Sequence, residues 1–137
     1  MTPIQVADEP ASPSVYRAGA CNIGRAEIRR RRDAGILGVA VAVAFASVLV
    51  AIGAPDWARL LLFVPAAGAA AGLLQARMRF CVSFAISGLR NFGPLGAPEK
   101  VTDAGDHRAD LVAAARLVAA SVAAGAVVAV AFALAPV

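Results

Sequence analysis

The stretch AGILGVAVAVAFASVLVAIGAP, residues 34–55, runs for 22 residues without a charged side chain. Two more stretches share this property, residues 60–76 with 17 residues and residues 117–137 with 21. A helix rises about 1.5 Å per residue and a bilayer core is about 30 Å thick, so the first and third stretches can each span a membrane, and the second nearly can. The sequence therefore predicts an all-α integral membrane protein with three transmembrane helices.

The composition supports this class. Hydrophobic residues make up 60% of the 137-residue chain, and the mean hydropathy is +0.73, which leaves too little polar surface for a soluble domain. The apolar residues are mostly Ala and Val, and three Ala-rich helices enclose a core too thin for a substrate chamber or a buried cofactor. We therefore expect no cofactor, and we expect copies of this chain or other subunits to supply further helix contacts.

The basic residues predict the orientation. Residues 1–20 contain Asp8, Glu9 and three prolines but no apolar core of signal-peptide length, so we expect no cleavable signal. Twelve of the thirteen basic residues lie before the first span or between the second and third, and Arg59 is the exception. The positive-inside rule places those segments in the cytoplasm. The expected protein crosses a bacterial-type inner membrane with its N-terminus inside and its C-terminus outside.

The chain divides into five predicted segments. A proline-containing tail (1–20) precedes a basic interfacial segment (21–33) that we expect to form a short, separate cytoplasmic helix. A two-helix membrane hairpin follows (34–92), and its last part, residues 76–93, is amphipathic and is expected to form an interfacial turn or short helix. A cytoplasmic loop (93–110) then leads to the third transmembrane helix (111–137).

Several residues are predicted to anchor the chain in lipid. The run Arg29, Arg30, Arg31 and Arg32 stands directly before the first span, where anionic headgroups attract cations. Trp57 lies at the predicted outer boundary, where indole favours the headgroup level. The net charge of +4 does not indicate nucleic acid, because no aromatic residues interleave with the basic ones.

Small residues are predicted to form the helix contacts. The second span contains Gly68 and Gly72 four residues apart, and Gly38 and Gly125 occupy similar rows in the first and third spans. Such small-xxx-small faces let two backbones approach closely, either within the chain or between chains. Pro65 is expected to kink or locally unwind the start of the second helix.

The polar loop before the third span has two interpretations. Asp103, Asp106 and Asp110 can cap the free amide groups of a helix start, and His107 is then simply exposed. Together these four side chains could also bind a divalent cation, although we expect no metal site. We find no nucleophile with a base and no paired carboxylates within the spans, so we expect no enzymatic activity.

The two cysteines also leave two alternatives open. Cys21 and Cys81 can be small buried residues that pack the cytoplasmic end of the hairpin. They can instead be a redox or sulfur-relay pair, because nearby arginines favour the thiolate form. An antiparallel hairpin returns both residues to the same membrane face, so we predict that they lie close together.

The surroundings of these cysteines resemble the YgaP-like inner-membrane domain family over residues 21–92. The run Cys21-Asn22-Ile23-Gly24, followed by Glu27 and arginines, is similar to that family's opening, and Phe80, Cys81, Phe84 and Gly88 match the spacing at the end of its second helix. The resemblance implies a two-helix hairpin with paired thiols at its cytoplasmic end.

This chain departs from that family's pattern in four ways. Val82 stands where the family has proline, Phe84 where it has tyrosine, and Ile28 where it usually has arginine, and a third span is added. No part resembles the rhodanese domain that is joined to this hairpin in the best known relatives, so sulfurtransferase activity is not implied.

Two functions are consistent with these observations. The first is a small non-catalytic accessory or scaffold subunit that packs against itself or against a larger membrane complex, such as a respiratory or photosynthetic one. The second is a YgaP-like thiol protein that handles sulfur or senses redox state through Cys21 and Cys81. In both cases the expected partners are membrane lipids and other membrane-protein subunits or copies of the chain.

Overall fold

The computed structural model describes residues 15–137, in which helices predominate. The elements are α1 (Arg25–Ala51), α2 (Asp56–Arg59), a 3-10 turn (Leu60–Leu62), α3 (Phe63–Met78), α4 (Val82–Ser87), strands β1 (Leu89–Arg90) and β2 (Glu99–Lys100), and α5 (Ala104–Leu134). The two short strands pair antiparallel.

Three helical segments are long and apolar enough to cross a membrane. They are Arg25–Ala51, Asp56–Met78, which joins α2, the 3-10 turn and α3, and Ala104–Leu134. This confirms the prediction of three such helices, and the fold is compatible with a multi-pass membrane protein.

Helix α3 occupies the middle of the bundle. It packs against both α1 and α5, whereas α1 and α5 make at most a marginal contact with each other. A Cβ atom on Gly72 would lie 2.7 Å from the Cα of Gly35, and one on Gly38 would lie 2.9 Å from the Cα of Ala69. Real Cβ atoms do not approach so closely, so only glycine permits this α1–α3 contact.

The contact between α3 and α5 follows the same rule. A Cβ atom on Gly125 would lie 2.7 Å from the Cβ of Ala67. The buried residues of α5 recur every three or four positions, which places them on one face of the helix: Asp110, Ala114, Leu117, Ser121, Gly125, Ala129 and Ala133.

The expected disturbance near Pro65 takes the form of a 3-10 turn. Proline cannot donate a hydrogen bond to the carbonyl four residues earlier, which here belongs to Leu61. The chain forms the tighter turn Leu60–Leu62 at that point and becomes α-helical from Phe63. Local unwinding therefore precedes the proline, within a segment that still runs continuously across the bundle.

The predicted separate helix in residues 21–33 does not form. Instead α1 is continuous from Arg25 to Ala51, so the arginine run belongs to its first turns. No glycine or proline stands between Gly24 and Gly35 to interrupt the helix, and Glu27 and Arg31 form an i,i+4 ion pair that supports it.

The third long helix also begins earlier than predicted, at Ala104 rather than residue 111. The Asp103 side chain accepts a 2.8 Å hydrogen bond from the Asp106 amide, which makes Asp103 the N-cap. Asp110 was predicted as another exposed cap, and this is wrong. It lies in the second turn of α5 and is completely buried.

The amphipathic segment after α3 forms the expected short helix, α4. Arg79 ends α3 in the left-handed conformation with φ 55°, and Gly88 ends α4 with φ 69°. Since α4 packs against α5, its buried Ala85 joins a small core with Phe80, Ala114 and Leu117.

A buried polar cluster at the basic end of the bundle

The start of α1, the end of α3 and the start of α5 lie at one end of the bundle, which we call the basic end. Twelve of the thirteen basic residues belong to the segments at this end, and Arg59 lies at the opposite end. The basic end also holds residues 15–24, α4 and the two short strands. It contains most of the buried polar side chains of the described chain.

Asn22 links the N-terminal segment to Cys81, the residue that directly precedes α4. Its side-chain Nδ2 donates to the Cys81 carbonyl at 3.0 Å, and its Oδ1 accepts from the Cys81 amide at 2.6 Å. Its own amide donates to the Arg79 carbonyl at 3.2 Å. Because both sides of the Asn22 amide are used and the residue is fully buried, Asn22 fixes the position of the backbone at Cys81.

Asn91 makes the matching link on the other side of Asn22. Its amide donates to the Asn22 carbonyl at 2.9 Å, and its carbonyl accepts from the Gly24 amide at 2.8 Å. Its side-chain Nδ2 donates to Glu27 Oε1 at 3.3 Å and to the Pro94 carbonyl at 3.0 Å. A Cβ atom on Gly24 would lie 2.9 Å from the Cα of Phe92, so this crossing also requires glycine.

An ion pair between a buried carboxylate and a partly buried arginine lies beside these amides. Glu27 is 1% exposed, and its Oε2 lies 3.7 Å from Arg31 Nη2. The same Nη2 donates to Cys81 Sγ at 2.8 Å. Neither Glu27 Oε2 nor Arg31 Nε has a hydrogen-bond partner. Arg31 therefore connects the buried carboxylate of Glu27 to the buried sulfur of Cys81, and its positive charge lies close to both groups.

The structure places both cysteines in this cluster, and both are free thiols. Cys21 Sγ donates weakly to the Ile23 carbonyl at 3.8 Å, whereas Cys81 Sγ contacts Arg31 and, at 3.6 Å, Ser83 Oγ. Cys21 directly precedes Asn22, which is bonded to Cys81, so both cysteines lie at the same end of the hairpin. Each sulfur has a different polar partner, and a redox pair stays a prediction.

Asp110 holds a second buried polar contact. It accepts hydrogen bonds from the Tyr16 hydroxyl and from the Gly19 amide, both at 2.7 Å. The Arg90 guanidinium lies 5.1 Å from the centre of the Tyr16 ring. Burial, followed by the hydrogen bond and the charge of Asp110, raises the pKa of Tyr16 well above its ordinary value. This contact fastens the N-terminal segment to α5.

Only part of the predicted arginine anchor faces outward. Arg29, Arg30 and Arg32 are exposed, whereas Arg31 turns inward to Glu27 and Cys81. Arg31 follows Glu27 by four positions and therefore lies on the same helix face as that buried carboxylate. A lipid contact for Arg31 is not supported, while the other three arginines stay predicted anchors.

At the opposite end, Trp57 and Arg59 have different surroundings. Trp57 is 71% exposed, in a position suited to an anchor. Arg59 is buried and donates to the carbonyls of Ala54 at 3.1 Å, Ala135 at 3.2 Å and Val137 at 2.6 Å. Arg59 thus ties the loop after α1 to the end of α5, a role that the sequence analysis did not identify.

The remaining predicted residues differ in their contacts. Gly38, Gly72 and Gly125 lie at helix contacts, but a Cβ atom on Gly68 would meet no atom of residues 15–137 within 4 Å. His107, predicted to be exposed, is half-buried, and its buried Nε2 has no hydrogen-bond partner. Among residues 15–137, no three His, Cys, Asp or Glu side chains lie close enough to hold a metal ion.

Comparisons with known proteins give no further guide to this site: no family model matches the chain, and neither a curated protein nor a solved structure is similar to it. The resemblance to the YgaP-like domain therefore rests on the residues quoted above.

Proposed function

We propose that this chain is a small, non-catalytic subunit of the cell membrane, whose helices pack against those of other membrane subunits or of a second copy. The observation that carries this proposal is the uncovered surface of α1 and of the neighbouring side of α3. Only 11% of the most apolar 18-residue window of α1 is buried within the chain. Helix α3 is the main neighbour of α1 among residues 15–137, and most of the apolar surface of α1 stays exposed.

A groove between α1 and α3 gives this surface a definite shape. Val41, Phe45, Leu61, Val64 and Pro65 line a groove of about 510 Å³ that is almost entirely apolar. Gly68 follows Val64 by four residues, so it extends the same face of α3. An open glycine beside an apolar groove allows a further helix to approach closely, and close packing drives association in lipid.

Co-purification from native membranes under mild detergent tests this proposal. Replacing Gly68 with Leu adds a side chain where this chain has free space, so the fold should be kept while a docked helix is displaced. We expect the association constant to fall about 5- to 30-fold, which corresponds to about 1–2 kcal/mol of lost helix packing.

Ala123→Leu is the matched control, because Ala123 is an exposed small residue of α5, away from the groove. Unchanged assembly in Gly68→Leu would show that the groove meets lipid rather than a helix. Equal weakening in Ala123→Leu would contradict the proposal by showing that the loss is not specific to the groove.

The 2.8 Å contact between Arg31 and Cys81 favours a second candidate function, a thiol protein of the YgaP-like kind. A guanidinium stabilises a thiolate, which is the reactive form of cysteine. If Arg31 serves this purpose, Arg31→Gln should slow alkylation of Cys81 in a Cys21→Ser background, and Arg31→Lys should partly restore the rate.

The predicted redox pair needs a separate test. If the two cysteines form a functional pair, a mild oxidant should produce an intramolecular disulfide in the native chain and none in Cys81→Ser. A disulfide requires Cα atoms within about 7 Å of each other. Failure to form it would leave two independent thiols.

A further inference from the structure

A second surface groove lies at the basic end, where the N-terminal segment crosses α5. Arg108, Val112 and Arg116 line one wall of it, and Gly19 and Gly105 contribute to the rest. Its volume is about 460 Å³. The three α5 residues are four positions apart and so lie along one helix face, with the two arginines about 12 Å apart along the axis.

Neither arginine of this groove is neutralised. Within residues 15–137, Arg108 and Arg116 form no ion pair, although four other arginines do. Among residues 15–137, no acidic side chain lines the groove, and the nearby Asp110 carboxylate is buried, where it accepts hydrogen bonds from Tyr16 and Gly19. The described side chains that line the groove therefore carry two positive charges and no negative one, and Ala113 adds an apolar surface beside Val112.

The groove lies next to the apolar part of α5, which is the part expected to contact lipid. Arg116 is the last charged residue before the charge-free stretch 117–137, so the groove opens at the point where α5 would enter the hydrocarbon. A phospholipid whose phosphate lies near Arg116 would have its acyl chains beside the apolar residues that follow Arg116.

A comparable groove on α1 lacks this charge pattern. It is lined by Arg29 and Arg30 together with Asp33, Ala26 and Leu95, and its volume is about 470 Å³. Asp33 adds a carboxylate to that lining and pairs with Arg32 at 3.3 Å, so the lining of this groove carries a smaller net positive charge than that of the groove on α5. The two grooves are similar in size and in arginine count, and they differ in the acidic residue.

We propose that the groove on α5 is a binding site for the headgroup of an anionic glycerophospholipid, held through its phosphate by Arg108 and Arg116. The acyl chains then follow α5 along the surface that begins at Val112. This site lies in the cytoplasmic leaflet if the basic end faces the cytoplasm, so the proposal rests on a membrane subunit with the orientation predicted from the sequence. A topology reporter tests the orientation without measuring lipid preference, so the orientation and the lipid site can be disproved separately.

Native mass spectrometry of the purified chain tests the site. The protein in detergent is offered phosphatidylglycerol and phosphatidylcholine with identical acyl chains, and the lipid-bound fractions are compared. We expect the native chain to prefer phosphatidylglycerol. Arg108→Gln/Arg116→Gln should reduce that preference about 5-fold for each arginine removed, since each basic residue at a membrane surface contributes on the order of that factor.

Two variants make this result specific. Arg29→Gln/Arg30→Gln removes the same charge from the comparable groove and should keep the preference. Val112→Trp fills the groove on α5 and leaves both arginines in place, so it should reduce binding without a change of charge. Val112 is 48% exposed, so this substitution does not disturb the core, and the test stands even if the double arginine variant fails to fold.

Three results would overturn the proposal. The first is a preference for phosphatidylglycerol that survives in both Arg108→Gln/Arg116→Gln and Val112→Trp. The second is a preference that falls equally in the two arginine double variants, which would indicate general attraction of anionic lipid. Displacement of phosphatidylglycerol by a large excess of inorganic phosphate would instead assign the groove to a free anion.

Discussion

At the scale of single residues, the contact between Tyr16 and Asp110 gives the clearest spectroscopic prediction. Tyr16 is the only tyrosine in the chain, so absorbance near 295 nm reports its ionisation alone. Because burial and Asp110 raise its pKa, the phenol should stay neutral in the folded protein above pH 10, where a free tyrosine ionises. Addition of denaturant should return the transition to about pH 10.

The raised pKa of Tyr16 also makes the stability of the fold decrease at high pH. The folded state holds the Tyr16 proton more tightly than the unfolded state, so this contribution is fully present below about pH 10 and is lost as the pH rises further. Asp110→Asn removes the carboxylate charge and should lower the pH at which the folded protein's phenol ionises. A folded native chain that titrates at about pH 10 would contradict the contact.

Asn22 carries a second prediction at this scale. Asn22→Ala leaves the buried amide and carbonyl of Cys81 without partners, and each unsatisfied group costs about 1–3 kcal/mol. We expect a clearly lower thermal unfolding temperature in detergent. Asn22→Asp would bury a carboxylate and set one of its oxygens against the Cys81 carbonyl, so it should be destabilised at least as much as Asn22→Ala. Equal stability of all three chains would mean that Asn22 does not fasten the hairpin.

At the scale of the elements, the glycine contact between α1 and α3 decides whether the hairpin closes. A side chain on Gly72 would overlap the backbone of Gly35 and approach the Arg31 carbonyl, which lies 3.0 Å from the position of a Cβ atom. Gly72→Leu should therefore destabilise the hairpin itself by at least about 1–3 kcal/mol. Limited proteolysis in the loop 52–55 measures this opening.

Gly68→Leu is the internal control for that experiment, because Gly68 lies one turn away on the same helix with free space around it. It should not affect the hairpin. If both variants have the native proteolysis rate, α1 and α3 are not in close contact.

The elements also show what the sequence could predict. Charge-free stretches located all three long helices, because their length and apolar character are local properties. Helix ends were less predictable. Arg25 and Ala104 begin their helices outside the apolar stretches, where the start depends on caps and ion pairs such as Asp103 and Glu27 with Arg31 rather than on hydropathy.

The polar cluster could be anticipated only in part. Asn22, Glu27 and Cys81 stand in the motifs that resemble the YgaP-like domain, but the side-chain bonds of Asn22 join residues 59 positions apart. Asn91 and Arg59 carry no local signal, because their partners come from segments that meet only after the helices have packed. Long-range pairing of this kind leaves no periodic trace in a single sequence.

At the scale of the whole molecule, the three long helices form an open layer with α3 in the middle, and charge is divided between the two ends. The basic end gathers twelve positive side chains and the buried polar cluster, while the opposite end has Arg59 with its positive charge directed into the fold. Both features fit a membrane subunit with its basic end in the cytoplasm and its outer faces available to lipid and other helices.

The orientation of the two ends of the bundle shows whether the chain crosses the membrane three times. A reporter that is active only outside the cytoplasm can be inserted at Gly53, inserted at Gly96, or fused after Val137, each an exposed position at a loop or at the end of α5. Three crossings with the basic end inside predict activity at Gly53 and Val137 and none at Gly96. Activity at Gly96, or a cytoplasmic location of Val137, would contradict the account.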